Sequence, residues 1–495
     1  MRKDILIIGG GLGGLICGIL LQKNNFNVSI AEKNKRVGGL LQNFKRKGCT
    51  FDVGMHYIGS AEKGQIVYKI LKYLNIYDKI SLHEMDTSGY EVFKIQDKTY
   101  TFPKGWEAFK NRLSEYFPNE KVAIVKYAET VQEASNSFDI INLRYPVSLN
   151  FGKNKFAETG IYDFIDELTG NDELKRVLSL MNSMYAGQKD KASLYTHAVI
   201  HNHYSQSSMK IEGGGEEIAN ALENEFVSHG GKIFVNEFIH KFETKDGLIE
   251  SALSKSGHKF KADYFISGFH PSLTIDMIEG NYLRKPYRKR MQQLENTIST
   301  FSIHLVLKKP TFQNFNFNFH RYLQDEVWGA DSYHPDTWPQ SYLIYTPYNR
   351  ESTTKCLSVF TFMSYSEVKK WENATNESHT ESYKQWKEQR AQKLLKVVEK
   401  DFPEIIGNID DMEVLTPLSY KDYLNNKQGE CYGIVHDYKE VLKSLVLTKT
   451  QISNLYFTGQ NVNMHGFLGV SIGSLLTAGN FIDINNLVKS ISEQE

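Results

Sequence analysis

Cysteine is scarce in this chain: four in 495 residues, Cys17, Cys49, Cys356 and Cys431, with no C-x-x-C pair among them. Their scatter argues against a zinc site, a dithiol redox motif or a disulfide scaffold, and it points to a reducing compartment. Net charge is missing too, with 58 Lys and Arg against 58 Asp and Glu. Nothing global then attracts nucleic acid, and nothing global favours an anionic membrane. No window offers about 18 uninterrupted apolar residues, so no transmembrane helix is expected, while contact with a membrane surface stays open. Only a few residues precede the first apolar strand, which leaves no room for the apolar region and cleavage site of a signal peptide. The expectation is a cytoplasmic protein, with peripheral membrane association as an option. Internal repeats and low-complexity linkers are also absent. The length calls for two or three domains. Aromatic residues, at 13%, suit an apolar binding cavity and large cores equally well.

What the chain does have begins at once. Residues 5–8 form a short apolar run with β-branched members, stopped by glycine, as a buried parallel strand is. Gly9, Gly11 and Gly14 follow in the G-x-G-x-x-G spacing, with Leu12 and Gly13 between them, and residues 15–22 continue as an apolar helical segment. The spacing has a purpose: Gly9 permits the tight turn, Gly11 lets backbone approach a pyrophosphate, and Gly14 lets helix and strand pack closely. The phosphates then sit at the positive end of the helix. Residues 27–31 read as the second strand, and Glu32 stands at its end, 18 residues after Gly14 and followed by Lys33. A carboxylate there accepts hydrogen bonds from an adenosine ribose and disfavours a 2′-phosphate.

A nicotinamide dehydrogenase would continue with further βα units. Here Arg36 and the pair Gly38 and Gly39 come next, then a β-like excursion and the segment 51–59 with Gly54, Met55 and His56. Arg36 beside the glycine pair suits contact with phosphate. This arrangement resembles the flavoprotein superfamily of amine oxidases, phytoene desaturases and carotenoid isomerases, in which the glycine pair lies along FAD. The resemblance implies that Gly38, Gly39, Leu40, Gly54, Met55 and His56 border that cofactor. Many members carry Arg where this chain has Leu40, so that side-chain contact with phosphate is missing. It also implies adenine contacts from the backbone of Val235. The C-terminal segment 455–460 reads as a strand reaching glycine, and 466–478 as a loop entering an apolar helix. By the same resemblance Gly459 and Gln460 address the ribitol or pyrophosphate, and Gly469 and Val470 stand at the helix start facing the flavin pyrimidine. Gln460 replaces a frequent acid. A helix N-terminus there would stabilise negative charge on reduced flavin. Residues 416–423, 429–433 and 436–437, with 51–59 and 197–204, narrow the resemblance to retinol saturases and their bacterial relatives.

The fold expected is α/β: a Rossmann-like FAD-binding domain with an inserted α+β substrate domain. Residues 1–75, 206–280 and 431–495 are assigned to the first, and 76–205 and 281–430 to the second. Between about 60 and 200 the segments 65–74, 106–116 and 120–137 read as helices between polar connections. His197, His201 and His203 lie close in sequence, but their spacing matches no metal motif and no local carboxylate completes a site, so no metal is assigned. A flavin carries hydride, and the protein must position the substrate and manage a proton. The candidate proton donors are His56, Tyr57, His203, Tyr204 and His465. The leading expectation is reduction of a C=C bond in an apolar polyene, retinoid or isoprenoid. The alternatives are desaturation, redox-neutral isomerisation, and a flavin-containing lipid carrier without turnover. Reducing equivalents would come from NAD(P)H or a separate electron donor. The basic cluster Arg284, Lys285, Arg288, Lys289 and Arg290 is a solvated face or a contact for anionic lipid.

Overall fold

The computed structural model describes residues 2–148, 154–373, 377–462 and 464–495. Its centre is a five-stranded parallel sheet in the order Lys232–Phe234, Asn27–Ala31, Asp4–Ile8, Tyr264–Ser267 and Leu455–Phe457. The middle strand is the first in the chain, and its apolar run is buried on both faces, as an all-parallel sheet requires. Helix Leu12–Lys23 is buried from Gly13 to Gln22 because it is covered all round, by the sheet and by helices Gly215–Ser228 and Gly466–Ala478. That is why its sequence is apolar without an amphipathic stripe. Residues 27–31 and 466–478 form the elements read from sequence, while the basic helix begins at Lys285 and runs to Gln292.

The second layer is a seven-stranded sheet in the order Ile409–Leu415, Ser299–Leu307, Cys356–Met363, Ser341–Tyr345, Asn318–Tyr322, Glu91–Ile95 and Lys98–Phe102. One pairing is parallel, that of Asn318–Tyr322 with Glu91–Ile95. Two strands of this sheet therefore come from a region read chiefly as helical, and the two inserted segments build one sheet together. Strand Ser299–Leu307 shows how the layer is sided. Phe301, Ile303, Leu305 and Leu307 pack in a core with Ala391, Leu394 and Val398 of helix Glu377–Val398. Ser302 and His304 point the other way, where His304 meets the rings of Phe44 and Phe51. A bundle including helices Lys121–Ser135 and Leu194–Gln206 covers the far side. A small antiparallel sheet pairs Tyr57–Gly59 and Leu82–Glu84 with Ser208–Ile211.

One expectation is corrected. Cys49 and Cys356 form a disulfide across 307 residues of sequence. It joins the hairpin strand Cys49–Asp52 to the start of Cys356–Met363, alongside the ion pairs of Arg46 with Asp411 and Glu413. Spacing could not reveal it, because the pairing depends on how the hairpin lies on the second sheet. Among the described residues no helix is long and apolar enough to cross a membrane.

Denatured protein should present two reactive thiols before reduction, Cys17 and Cys431, and four after it. Replacing Cys49 by Ala should lower unfolding free energy by about 2–4 kcal/mol, read from denaturant midpoints.

Candidate active site

A cavity of about 380 Å³ lies between the carboxyl ends of the parallel strands and the inner face of the seven-stranded sheet. On the first side, Gly9 turns at φ 100° and donates its N–H to Ala31 O at 2.9 Å. A Cβ on Gly14 would stand 2.1 Å from Gly9 O, whereas one on Gly11 would meet nothing within 4 Å. Helix and turn are thus packed tightly at Gly14 and left open at Gly11. Among the described residues no side chain caps helix Leu12–Lys23 at its start, and none caps Gly466–Ala478, whose first residues also line the cavity. Two sets of first-turn N–H groups remain for a ligand. Glu32 is held at the rim, its Oε2 accepting from Gly10 N and its Oε1 from Asn34 N, each at 2.8 Å. Burial raises its pKa. An open glycine turn, two uncapped helix ends and a fixed carboxylate fit a dinucleotide with its pyrophosphate and ribose.

Every residue marked for cofactor contact borders this cavity except two. Arg36 is turned aside: its guanidinium binds the Glu216 carboxylate and the carbonyl of Asn43. With its charge taken up there, it makes no phosphate clamp. Val235 lies just past the edge strand, 38% exposed, and it is the Phe234 carbonyl that accepts from Glu32 N. The chain beyond it runs along the cavity rim, where Asn236 N donates to Asn34 O at 3.0 Å and Glu237 N to Glu32 O at 2.8 Å.

All five candidate proton donors line the cavity. His56 stacks on Tyr345 at 3.9 Å and joins Asn318 Oδ1 through Nε2 at 3.1 Å. Burial, helped by the Lys210 charge, pushes its pKa down to about 3. His203, bonded to Ser60 Oγ at 3.0 Å, and His465, whose Nε2 has no partner among the described residues, are also lowered by burial to about 3. The three rings are neutral near pH 7. Tyr57 donates to Glu91 Oε1 at 2.7 Å and stacks on Tyr204 at 4.5 Å. Burial drives both phenols up, and the Glu91 charge adds to it. His197 and His201 stand away from the cavity, joined through Tyr127 OH at 2.6 and 3.1 Å. The Lys210 charge also acts on Asp52. Burial raises Asp52 and lowers Lys210, each to about 7.

The sequence reading missed Glu91, Asn318 and His320, which form one network in which His320 lines the cavity, and the further lining residues Tyr322, Phe360 and Tyr432. A signal existed: alternation across 91–95 places Glu91 on the face of Phe93 and Ile95, so an acid is buried with the core.

Fold and site together define a dinucleotide-binding oxidoreductase with a substrate chamber walled by a second sheet. The chain belongs to the flavin containing amine oxidoreductase family, whose model matches residues 12–478. FAD is its cofactor, and the protein is an FAD-dependent oxidoreductase. It is similar to all-trans-retinol 13,14-reductase of Danio rerio, 25% identical over 98% of this chain and 86% of the relative. The 4,4′-diaponeurosporene oxygenase of Staphylococcus aureus (strain bovine RF122 / ET3-1) is 24% identical over 94% and 95% of the two chains. Among solved structures, an oxidoreductase from Methanosarcina mazei shares the fold with a TM-score of 0.65, at 14% identity over 95% of this chain and 99% of that one.

The neutral histidines set a pH dependence. Their folded pKa values lie below the ordinary 6.5, so the unfolded chain binds more protons between about 3 and 6.5. The histidines' contribution to stability is full above pH 6.5 and is lost as pH drops towards 3. Each ring contributes a slope of up to about 1.4 kcal/mol per pH unit in that window. Denaturant midpoints at pH 7.5, 6.5 and 5.5 should show a small first change and a larger second one.

Proposed function

We propose that the protein reduces a C=C bond of an apolar conjugated polyene of retinoid or isoprenoid type. The observation that carries this reading is the chamber itself. It continues from the cofactor cradle into a wall of Tyr57, Tyr204, Tyr322, Phe360 and Tyr432, with Met184 and Val199 beside them. Such a wall binds an extended apolar chain by area and by ring stacking, and it excludes water. The similarity to a retinol reductase over nearly the whole chain supports the same direction of chemistry.

Bound and reduced FAD supplies hydride there. The protein's own part is threefold. The uncapped start of helix Gly466–Ala478 offers positive potential where negative charge must be held. The aromatic wall orients the substrate. One further proton must reach carbon, and the neutral rings of His56, His203 and His465 are weak acids for that step.

The test is anaerobic photoreduction of the holoenzyme, followed by incubation with retinoids, carotenoids and unsaturated lipids and mass analysis of each. A gain of two hydrogens is expected. The loss of two hydrogens from the ligand with oxidised flavin would mean desaturation, unchanged mass with altered retention would mean isomerisation, and unchanged ligand throughout would leave a carrier. Chemical reduction of the flavin makes the outcome independent of whether NAD(P)H or a separate protein is the natural donor.

We also propose peripheral contact with anionic lipid. Arg290 binds the carbonyl of Leu445 at 2.8 Å, which sets the basic helix Lys285–Gln292 against a loop where Leu442 and Leu447 are 77% and 57% exposed. Basic charge beside exposed leucines suits a lipid headgroup layer over acyl chains. Co-sedimentation with phosphatidylglycerol vesicles should exceed that with phosphatidylcholine, and Leu442→Ser with Leu447→Ser should reduce it about tenfold.

A further inference from the structure

The chamber wall has a polar centre that an apolar ligand does not call for. Glu91 is fully buried, with 0% exposure. Its Oε1 accepts from Tyr57 OH at 2.7 Å and from Asn318 Nδ2 at 2.9 Å, and its Oε2 lies 2.6 Å from His320 Nε2. Strand pairing makes this cluster. Asn318 stands directly opposite Glu91 in the parallel register, and His320 follows two residues on, so both side chains share Glu91's face. The neighbouring cations on these strands go elsewhere: Lys94 and Arg321 reach Asp401 at 2.7 and 3.2 Å.

No lysine or arginine is therefore among the hydrogen-bond partners of Glu91 in the described residues. A carboxylate ionised in such a place is costly without a cation beside it. Tyr57 and Asn318 carry no charge to give it, and the 2.6 Å between Glu91 Oε2 and His320 Nε2 is bridged by a hydrogen-bonding proton. The proton that can leave for a ligand is the one on His320 Nδ1, because Nε2 faces Glu91, and the bridging proton stays on or moves to Nε2 as it goes. The His320 imidazole also borders the chamber beside Tyr322, braced by the Phe93 ring at 4.6 Å. His56 is different: Asn318 donates through Nδ2 to Glu91, so Asn318 Oδ1 accepts and His56 Nε2–H donates to it. Its partner is an amide, which has no proton to pass on when the ring gives one up.

We propose that Glu91 and His320 store the proton that C=C reduction consumes, with His320 as the catalytic acid and Glu91 as its positioning residue. The inference deepens the polyene-reductase reading and rests on it. One alkene carbon receives hydride from the reduced flavin, which is oxidised by two electrons. The adjacent carbon takes the proton from His320 as the π bond breaks, so two C–H bonds form and the hydrocarbon is reduced. The pair, now one proton short, regains it from water after product leaves. The electrons come from whatever reductant has reduced the flavin, dithionite or light in the experiment.

The experiment compares wild type, His320→Gln, His320→Ala and Glu91→Gln as holoenzymes. Flavin absorbance and reoxidation by ferricyanide, an acceptor that takes electrons without protonated carbon, should remain within about threefold of wild type. Polyene-dependent flavin reoxidation should fall at least 100-fold in both His320 variants, with imidazole restoring His320→Ala in a concentration-dependent manner. In Glu91→Gln the maximal rate should fall while the half-saturating polyene concentration stays put. Independently of turnover, ¹⁵N spectra of ring-labelled histidine should show a His320 proton shared with Glu91, lost in Glu91→Gln. A wild type that saturates no polyene brings down the parent reading and this proposal with it. A wild type that saturates while the His320 variants keep a third of its rate, or a His320 ring signal indifferent to Glu91→Gln, overturns the proposal alone.

Discussion

Parallel pairing of Asp4–Ile8 on both of its edges is the constraint from which the rest of the molecule follows. Asn27–Ala31 on one side fixes the glycine turn through the bond of Gly9 N to Ala31 O, and Tyr264–Ser267 on the other brings Gly268 N to Ile8 O at 2.8 Å. Because Tyr264–Ser267 pairs in turn with Leu455–Phe457, the end of the chain is drawn to its beginning. Helix Gly466–Ala478 then packs on helix Leu12–Lys23, with Ser474 Oγ donating to Gly13 O at 3.3 Å. Two helix starts converge on one cavity as a result. A sheet edge lost at this point would separate the two halves of the cofactor site.

The second sheet takes its meaning from the first. It has one apolar face against helix Glu377–Val398 and one mixed face towards the cavity, and the mixed face carries both aromatic rings and titratable groups. Strand alternation enforces that division, since neighbours along a strand cannot share a face. Asn318, His320 and Tyr322 look inward, while Phe319 packs with the outer core and Arg321 pairs with Asp401. The Cys49–Cys356 bridge and the Arg46 ion pairs tie this layer to the nucleotide side near one end of the cavity. The chamber is thus shaped by two layers that are held in fixed relation. Burial then decides the state of what lines it, keeping three histidines neutral and the phenols protonated.

Local signals carried far where chemistry is local. The glycine spacing, the two short strands around it, Glu32 and the terminal helix all depend on residues close in sequence, and each stands where the sequence put it. Arg36 and Val235 depend on more. Arg36 finds Glu216, 180 residues away, before it can meet a phosphate, and the edge strand stops at Phe234. The strands Glu91–Ile95 and Lys98–Phe102 were overlooked because their partner, Asn318–Tyr322, lies more than 200 residues further on.

The sequence by itself determined the nucleotide cradle, its likeness to a flavoprotein, and the presence of histidines and tyrosines able to serve in a chamber. Turns, helix starts and strand periodicity are properties of short segments, and a short segment suffices to encode them. Only the tertiary structure decided which of those side chains hold a proton. Protonation depends on burial and on partners brought together by sheet register, so His56 becomes a neutral ring, while Arg36 becomes a structural ion pair and Glu91 with His320 a hydrogen-bonded pair at the chamber wall.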